Sequence, residues 1–216
     1  MKKIIVSAMC VMLAFTVVAQ KNTSFKTHNF GVGLSSVLSS STNPYLKYKG
    51  ATDFNGLYGK ISSNMDLVLS GRYEYAFNKS MYLGTGLSYR LNSAEIFYNN
   101  LSTSVSSEST TIHDLEIPLY FDYKTAIMPN INLFAGAGFS GTFNLSLNSD
   151  LVKKDSFSPY LLLRTGFDFL SNHRVQFLLQ YRINLNSSME YVLDPSYPMD
   201  REFKVNTFDV GINFFF

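Results

Sequence analysis

The sequence is poor in the residues on which most recognisable chemistry is built. Of its 216 residues, one is cysteine (Cys10), three are histidine and none is tryptophan. A single thiol allows no internal disulfide and no Cys-ligated zinc site. His28, His113 and His173 are scattered, with no ligand-type partner at i+2 or i+4, so neither a metal centre nor an acid–base dyad is indicated. Charge of one sign is missing too: 18 Lys and Arg stand against 16 Asp and Glu. That balance excludes a strongly basic nucleic-acid binder and an acidic disordered chain. Beyond the first 19 residues there is no apolar run of the ~20 residues that a transmembrane helix requires, and mean hydropathy is +0.02.

What is present begins with a leader. Lys2 and Lys3 precede an uncharged apolar stretch from Ile4 to Val18, with Val17 and Ala19 at the small-residue positions of a cleavage site. Residues 1–19 are therefore expected to be a signal peptide, and residues 20–216 the mature domain. Cys10 lies inside the apolar stretch, behind Ser-Ala-Met, which is not a lipidation signal. Loss of Lys2 and Lys3 leaves 16 basic and 16 acidic residues and no thiol.

The dominant period downstream is two. Met65, Leu67, Leu69, Gly71, Tyr73, Tyr75 and Phe77 alternate with Asp66, Val68, Ser70, Arg72, Glu74 and Ala76. The same alternation recurs over 83–92, 114–123 and 175–185, and more weakly over 29–38, 131–145, 160–169 and 205–216. About eight strands result, each near the length needed to cross a bilayer at a tilt. Their connections alternate between long or medium polar stretches (39–64, 93–113 and 186–204 long, 146–158 medium) and short ones, with tight turns at 78–80 and 171–173 and a short connection near 125–130. The fold expected is all-β: an up-and-down antiparallel transmembrane β-barrel with loops on one rim and turns on the other.

A soluble, lipocalin-like barrel would place the apolar face inside. The volume of an eight-stranded lumen argues for the inverse, since the Leu and aromatic residues are too many and too bulky for it. The polar face instead mixes glycine (Gly31, Gly33, Gly84, Gly86, Gly136, Gly138) with Arg72, Glu74, Arg90, Glu116, Asp122, Arg164, Asp168, Arg182 and Asp209. Both signs occur, so these nine can pair as a lumen charge network. Phe77, Tyr89, Tyr123, Phe143, Phe169 and Phe216 fall near strand ends, where interfacial girdles sit.

Gly136 to Gly141 match G-x-G-x-x-G, but Thr142 to Leu147 continue a strand pattern where a dinucleotide site needs a helix. No cofactor and no enzymatic activity are expected. At the C-terminus, Phe208, Val210, Ile212, Phe214 and Phe216 alternate with Thr207, Asp209, Gly211, Asn213 and Phe215. This resembles the terminal-strand signal of outer-membrane barrels, which implies recognition by the barrel-assembly machinery. Leu115-Glu116-Ile117-Pro118-Leu119 and Phe134-Ala135-Gly136-Ala137-Gly138-Phe139 resemble the small outer-membrane β-barrel domain family of Bacteroidetes, the PorT-like type. That resemblance implies a Gram-negative outer-membrane location and a barrel, and carries over no functional residue.

The function expected is a structural or interaction role through surface loops, as an accessory of a secretion or envelope complex. Tyr45, Tyr48, Tyr58, Phe97, Tyr98, Tyr191 and Tyr197 supply aromatic anchors for a protein partner there. A small passive pore, an outer-membrane enzyme and a lipocalin-like ligand binder are the alternatives. The other expected partner is outer-membrane lipid; nucleic acid is excluded.

Overall fold

Alternation of apolar and polar residues organises the described residues into eleven strands. The computed structural model describes residues 27–41, 59–100, 104–147, 152–171, 173–186, 189–191 and 202–216. The expected leader lies outside them. The strands are β1 (His28–Ser41), β2 (Gly59–Ala76), β3 (Met81–Asn100), β4 (Ser104–Met128), β5 (Ile131–Leu147), β6 (Val152–Lys154), β7 (Phe157–Leu170), β8 (Arg174–Asn184), β9 (Met189–Tyr191), β10 (Glu202–Phe203) and β11 (Asn206–Phe215). Eight of them close a barrel in the order β1-β11-β8-β7-β5-β4-β3-β2, every neighbour antiparallel. The remaining three, β6, β9 and β10, form a small separate sheet. Closure runs from Gly31↔Phe215 to Ser41↔Asn206.

The side-chain period of two divides the wall into two environments. Leu69, Leu87, Leu119, Phe139, Leu163 and Phe177 stand on the outside with 45–61% of their surface exposed. Their chain neighbours Val68, Ser88, Tyr120, Ser140, Leu162 and Gln176 are buried inside. Apolar groups left bare on a protein surface are costly in water, whereas in hydrocarbon they are not.

Outward aromatics mark two levels. Tyr89, Phe143 and Phe157 lie on one register line through Leu115, and Tyr123 lies toward the turns, opposite Met81. The eight residues from Leu115 to Tyr123 rise ~27 Å along the strand. A barrel tilt of 35–45° reduces this to roughly 20 Å, close to the ~25 Å apolar band of an outer-membrane barrel.

The turn rim is tightly built. Asn78 Oδ1 accepts from the amides of Ser80 and Met81 at 2.8 and 2.9 Å, and the Ser171 amide donates to His173 O at 3.1 Å. The two ends of the barrel sequence meet on this rim, where the Phe216 amide donates to Phe30 O at 2.9 Å.

The opposite rim departs from expectation. Residues 93–113 were expected as a loop, yet β3 continues to Asn100 and β4 begins at Ser104, paired without a break down to Ser88↔Glu116. Ser and Thr on both faces erase the alternation that signals a half-buried strand, while β-branched residues still favour extended backbone. Likewise 146–158 and 186–204 contribute the short strands of the small sheet. β1 pairs with β2 only from His28 to Ser35, and β4 pairs with β5 only from Ile112 downward. Among the described residues, β2, β3 and β4 continue beyond those levels paired to one another as a three-stranded extension.

Candidate functional site

Inward alternation brings charged side chains from six strands (β2, β3, β4, β7, β8 and β11) into a lumen that eight strands leave just wide enough to fill. All nine residues expected to line it are buried there: Arg72, Glu74, Arg90, Glu116, Asp122, Arg164, Asp168, Arg182 and Asp209. Glycines opposite them supply the room. A Cβ on Gly84 would lie 2.2 Å from the Tyr120 ring, and one on Gly136 would lie 2.0 Å from Asp122 Oδ1.

Toward the turn rim the network joins β2, β4, β7 and β8. Lys124 Nζ reaches Asp168 Oδ2 at 2.7 Å and Glu74 Oε2 at 3.3 Å. Arg174 pairs with Glu74 and lies with its guanidinium carbon 3.7 Å from the Phe215 ring centre. The Tyr120 hydroxyl donates to Glu74 Oε1 at 3.2 Å, and Gln176 Nε2 donates to Asp168 Oδ1 at 3.0 Å. Each carboxylate thus has a cation, which offsets the several kcal/mol that desolvation of an ion costs.

Half-way up, Arg164 stacks on Tyr120 at 3.3 Å and faces Asp122 at 3.4 Å. Arg72 donates through Nε to Ser70 Oγ at 3.3 Å. Nearer the loop rim, Arg90 contacts Glu116 at 3.2 Å and Asp209 at 2.9 Å. Arg182 Nε sits 3.3 Å from the other Glu116 oxygen, and its Nη2 donates to Thr142 Oγ1 at 2.9 Å.

A final pair closes the loop end. Lys154, on β6 outside the barrel wall, pairs with Asp114 of β4. Burial pushes this ammonium below its usual range, against the opposing pull of Asp114.

Four of these participants are not among the nine: Lys124, Arg174, Asp114 and Lys154. Lys124 continues the inward alternation one step beyond Asp122, and Arg174 precedes Val175 by one. Lys124 sits next to a turn expected from residue 125, whereas β4 runs on to Met128; the turn at 171–173 falls where expected, and Arg174 is the first residue of β8. Lys154 carries no periodic signal, because its segment is a loop strand.

The other candidate residues fall elsewhere. His28 meets the Tyr73 hydroxyl at 2.8 Å, His113 meets that of Tyr89, and His173 packs on Phe214. Gly136 to Gly141 lie within unbroken β5, so no helix opens there. Phe208, Val210, Ile212 and Phe214 of β11 face outward, in register with Tyr181, Leu179, Phe177 and Val175, and Phe216 is half exposed. Phe97, Tyr98 and Tyr191 are strand positions, whereas Tyr45, Tyr48, Tyr58 and Tyr197 lie outside the described residues.

Comparison with known proteins agrees with this architecture. The chain is similar in fold to the outer membrane protein OprG from Pseudomonas aeruginosa, at 15% identity and a TM-score of 0.56, over 91% of this chain and 99% of that one. It is also similar to the outer membrane protein AlkL, determined in DMPC lipid bilayers, at 13% identity and a TM-score of 0.50, over 91% and 94% of the two chains. A search of curated proteins returned no match. The family model described as the outer membrane protein beta-barrel domain matches residues 7–216. With an apolar belt outside, ion pairs inside and a match spanning nearly the whole chain, this protein belongs to the outer membrane protein β-barrel domain family and resides in the outer membrane.

Proposed function

We propose that this protein is a closed, non-enzymatic barrel that anchors an interaction surface at the cell exterior, as an accessory of a secretion or envelope complex. The observation that carries this reading is ion pairing across the lumen. Arg90 on β3 reaches Asp209 on β11 at 2.9 Å, and Arg174 on β8 pairs with Glu74 on β2. In each case the partners lie three strands apart around the barrel. Side chains that meet across the middle at two heights favour a filled lumen over a water column, which supports an interior that serves to hold the wall. Among the described residues, the polypeptide outside the barrel wall is the loop-rim extension of β2, β3 and β4 and the small sheet of β6, β9 and β10.

The resemblance of Leu115–Leu119 and Phe134–Phe139 to the PorT-like type supports a place beside a secretion or envelope assembly. The reading is tested in planar bilayers with the folded full chain. It expects no stepwise conductance, and none after loop-rim hairpins are cut back. Steady ion current from the wild-type barrel overturns it in favour of a small passive pore.

A further inference from the structure

The charges inside the barrel balance at both ends and not in the middle. In the turn-rim cluster, Lys124 and Arg174 meet Glu74 and Asp168. In the loop-rim cluster, Arg90 and Arg182 meet Glu116 and Asp209. Between them stand two arginines and one carboxylate. Arg164 faces Asp122, whereas Arg72 forms no ion pair among the described residues. All eight wall strands are described at this level, so the wall itself supplies no further charge.

The surplus cation is buried. Arg72 is 7% exposed; its Nε donates to Ser70 Oγ, and its Nη1 has no hydrogen-bond partner among the described residues. Arg164 reaches the same level from the opposite side of the barrel, since β2 and β7 lie four strands apart. Its three guanidinium nitrogens are likewise buried without a hydrogen bond. The two guanidinium carbons lie 5.8 and 3.3 Å from the centre of the Tyr120 ring. A guanidinium keeps its proton in a protein, so the surplus charge cannot be shed. Left uncompensated, a buried ion is costly.

The wall above Arg72 is the less tightly covered part of the lumen. Ser88, Ser140 and Ser158, which also face inward, are at most 4% exposed. Ser35, Val37 and Ser70 are only half-buried. They follow one another up the β1–β2 side from Arg72, through the pairs Gly31↔Arg72, Gly33↔Ser70 and Ser35↔Val68. A strip of small side chains therefore rises from the buried cation. Because Ser70 Oγ accepts from Arg72, its own proton is left to donate onward.

We propose that Arg72 and Ser70 form the floor of an internal site for one small monovalent anion of the halide class. The charge to be met is one. Guanidinium and hydroxyl donors without a competing carboxylate suit a spherical acceptor. A lumen of eight strands, crossed here by Tyr120, gives a larger anion little room. The ion is a resident counter-charge, so the site needs no conduction path and is separate from the anchoring role.

The experiment is urea unfolding of the full chain in lipid vesicles, with chloride replacing gluconate at constant ionic strength. A site filled only in the folded state stabilises by mass action. The folding equilibrium constant is expected to rise about tenfold for each tenfold rise in chloride above the dissociation constant. R72M, which restores the charge balance, is expected to lose that dependence. K79M, at an exposed turn, is expected to keep it. Equilibrium dialysis of the folded wild type against radiolabelled chloride is the second arm, and it stands whether or not R72M folds. It is expected to find about one ion per chain. No bound ion, or a flat chloride dependence in the wild type, overturns the proposal and leaves water alone around Arg72. A dependence that R72M retains overturns it in favour of general screening.

Discussion

Arg90 and Asp209 lie 119 residues apart in sequence and share two hydrogen bonds, at 2.9 and 3.2 Å, in the interior of the barrel. Asp209 has no other ion pair among the described residues, whereas Glu116, the second partner of Arg90, also pairs with Arg182 at 3.3 Å. The two ends of this contact are therefore unequal.

Removal of Arg90 strands a buried carboxylate; removal of Asp209 leaves the guanidinium still bound to Glu116. R90M is expected to destabilise the barrel by about 3–5 kcal/mol, and D209L by distinctly less. Urea unfolding in lipid vesicles measures both. Equal losses would show that Glu116 does not hold Arg90 by itself.

Two glycines that look alike should behave differently. A Cβ on Gly84 meets the Tyr120 ring, a side chain, but a Cβ on Gly138 meets Leu119 O at 2.2 Å, which is backbone. G84A is expected to cost about 1–3 kcal/mol as overpacking, and the penalty should vanish in a Y120L background. The G138A penalty should persist in that background. The readout is the unfolding midpoint of the five variants: G84A, G138A, Y120L and the two doubles.

Lipid-facing positions are expected to grade with depth. Leu119, 56% exposed, lies midway between the Leu115 and Tyr123 levels, and Phe77 lies at the turn rim. L119R should cost about 2–4 kcal/mol and F77R about 0–1 kcal/mol. A similar cost at both sites would mean that the outward face does not lie in hydrocarbon.

The last two residues are predicted to separate assembly from stability. Phe216 is half exposed and touches Phe214, with ring centres 5.6 Å apart. F216A should lower the yield of folded protein in the outer membrane, as loss of a proposed assembly signal would, yet shift the unfolding free energy by less than about 0.5 kcal/mol. Phe215 is buried against Arg174, and F215A should cost about 3–5 kcal/mol. Quantitative blotting of membranes, alongside unfolding of the purified barrel, tells the two apart.

Most of the barrel is legible because lipid and lumen impose opposite chemistry on alternate residues, as at Leu115, Glu116, Ile117 and Leu119. The charge network follows from the same alternation, since Asp122, Arg164 and Asp209 could be placed inside without any knowledge of their partners. Which cation meets which carboxylate was not legible, because it depends on register between strands far apart in sequence. Lys124 and Arg174 were lost at strand ends, where a turn and a final strand residue look the same. The extension from Ser93 to His113 was hidden for a different reason: in water both faces of a strand can be polar, so no period marks it.

The unbroken run of β2, β3 and β4 from barrel into extension also determines how a load is carried. Tension on the tip enters along the strand axes and reaches the wall at right angles to its ladder bonds. Those bonds then resist together in shear, rather than opening one after another as a zipper would. Any axial load on the extension is therefore shared with the barrel ladder that roots it.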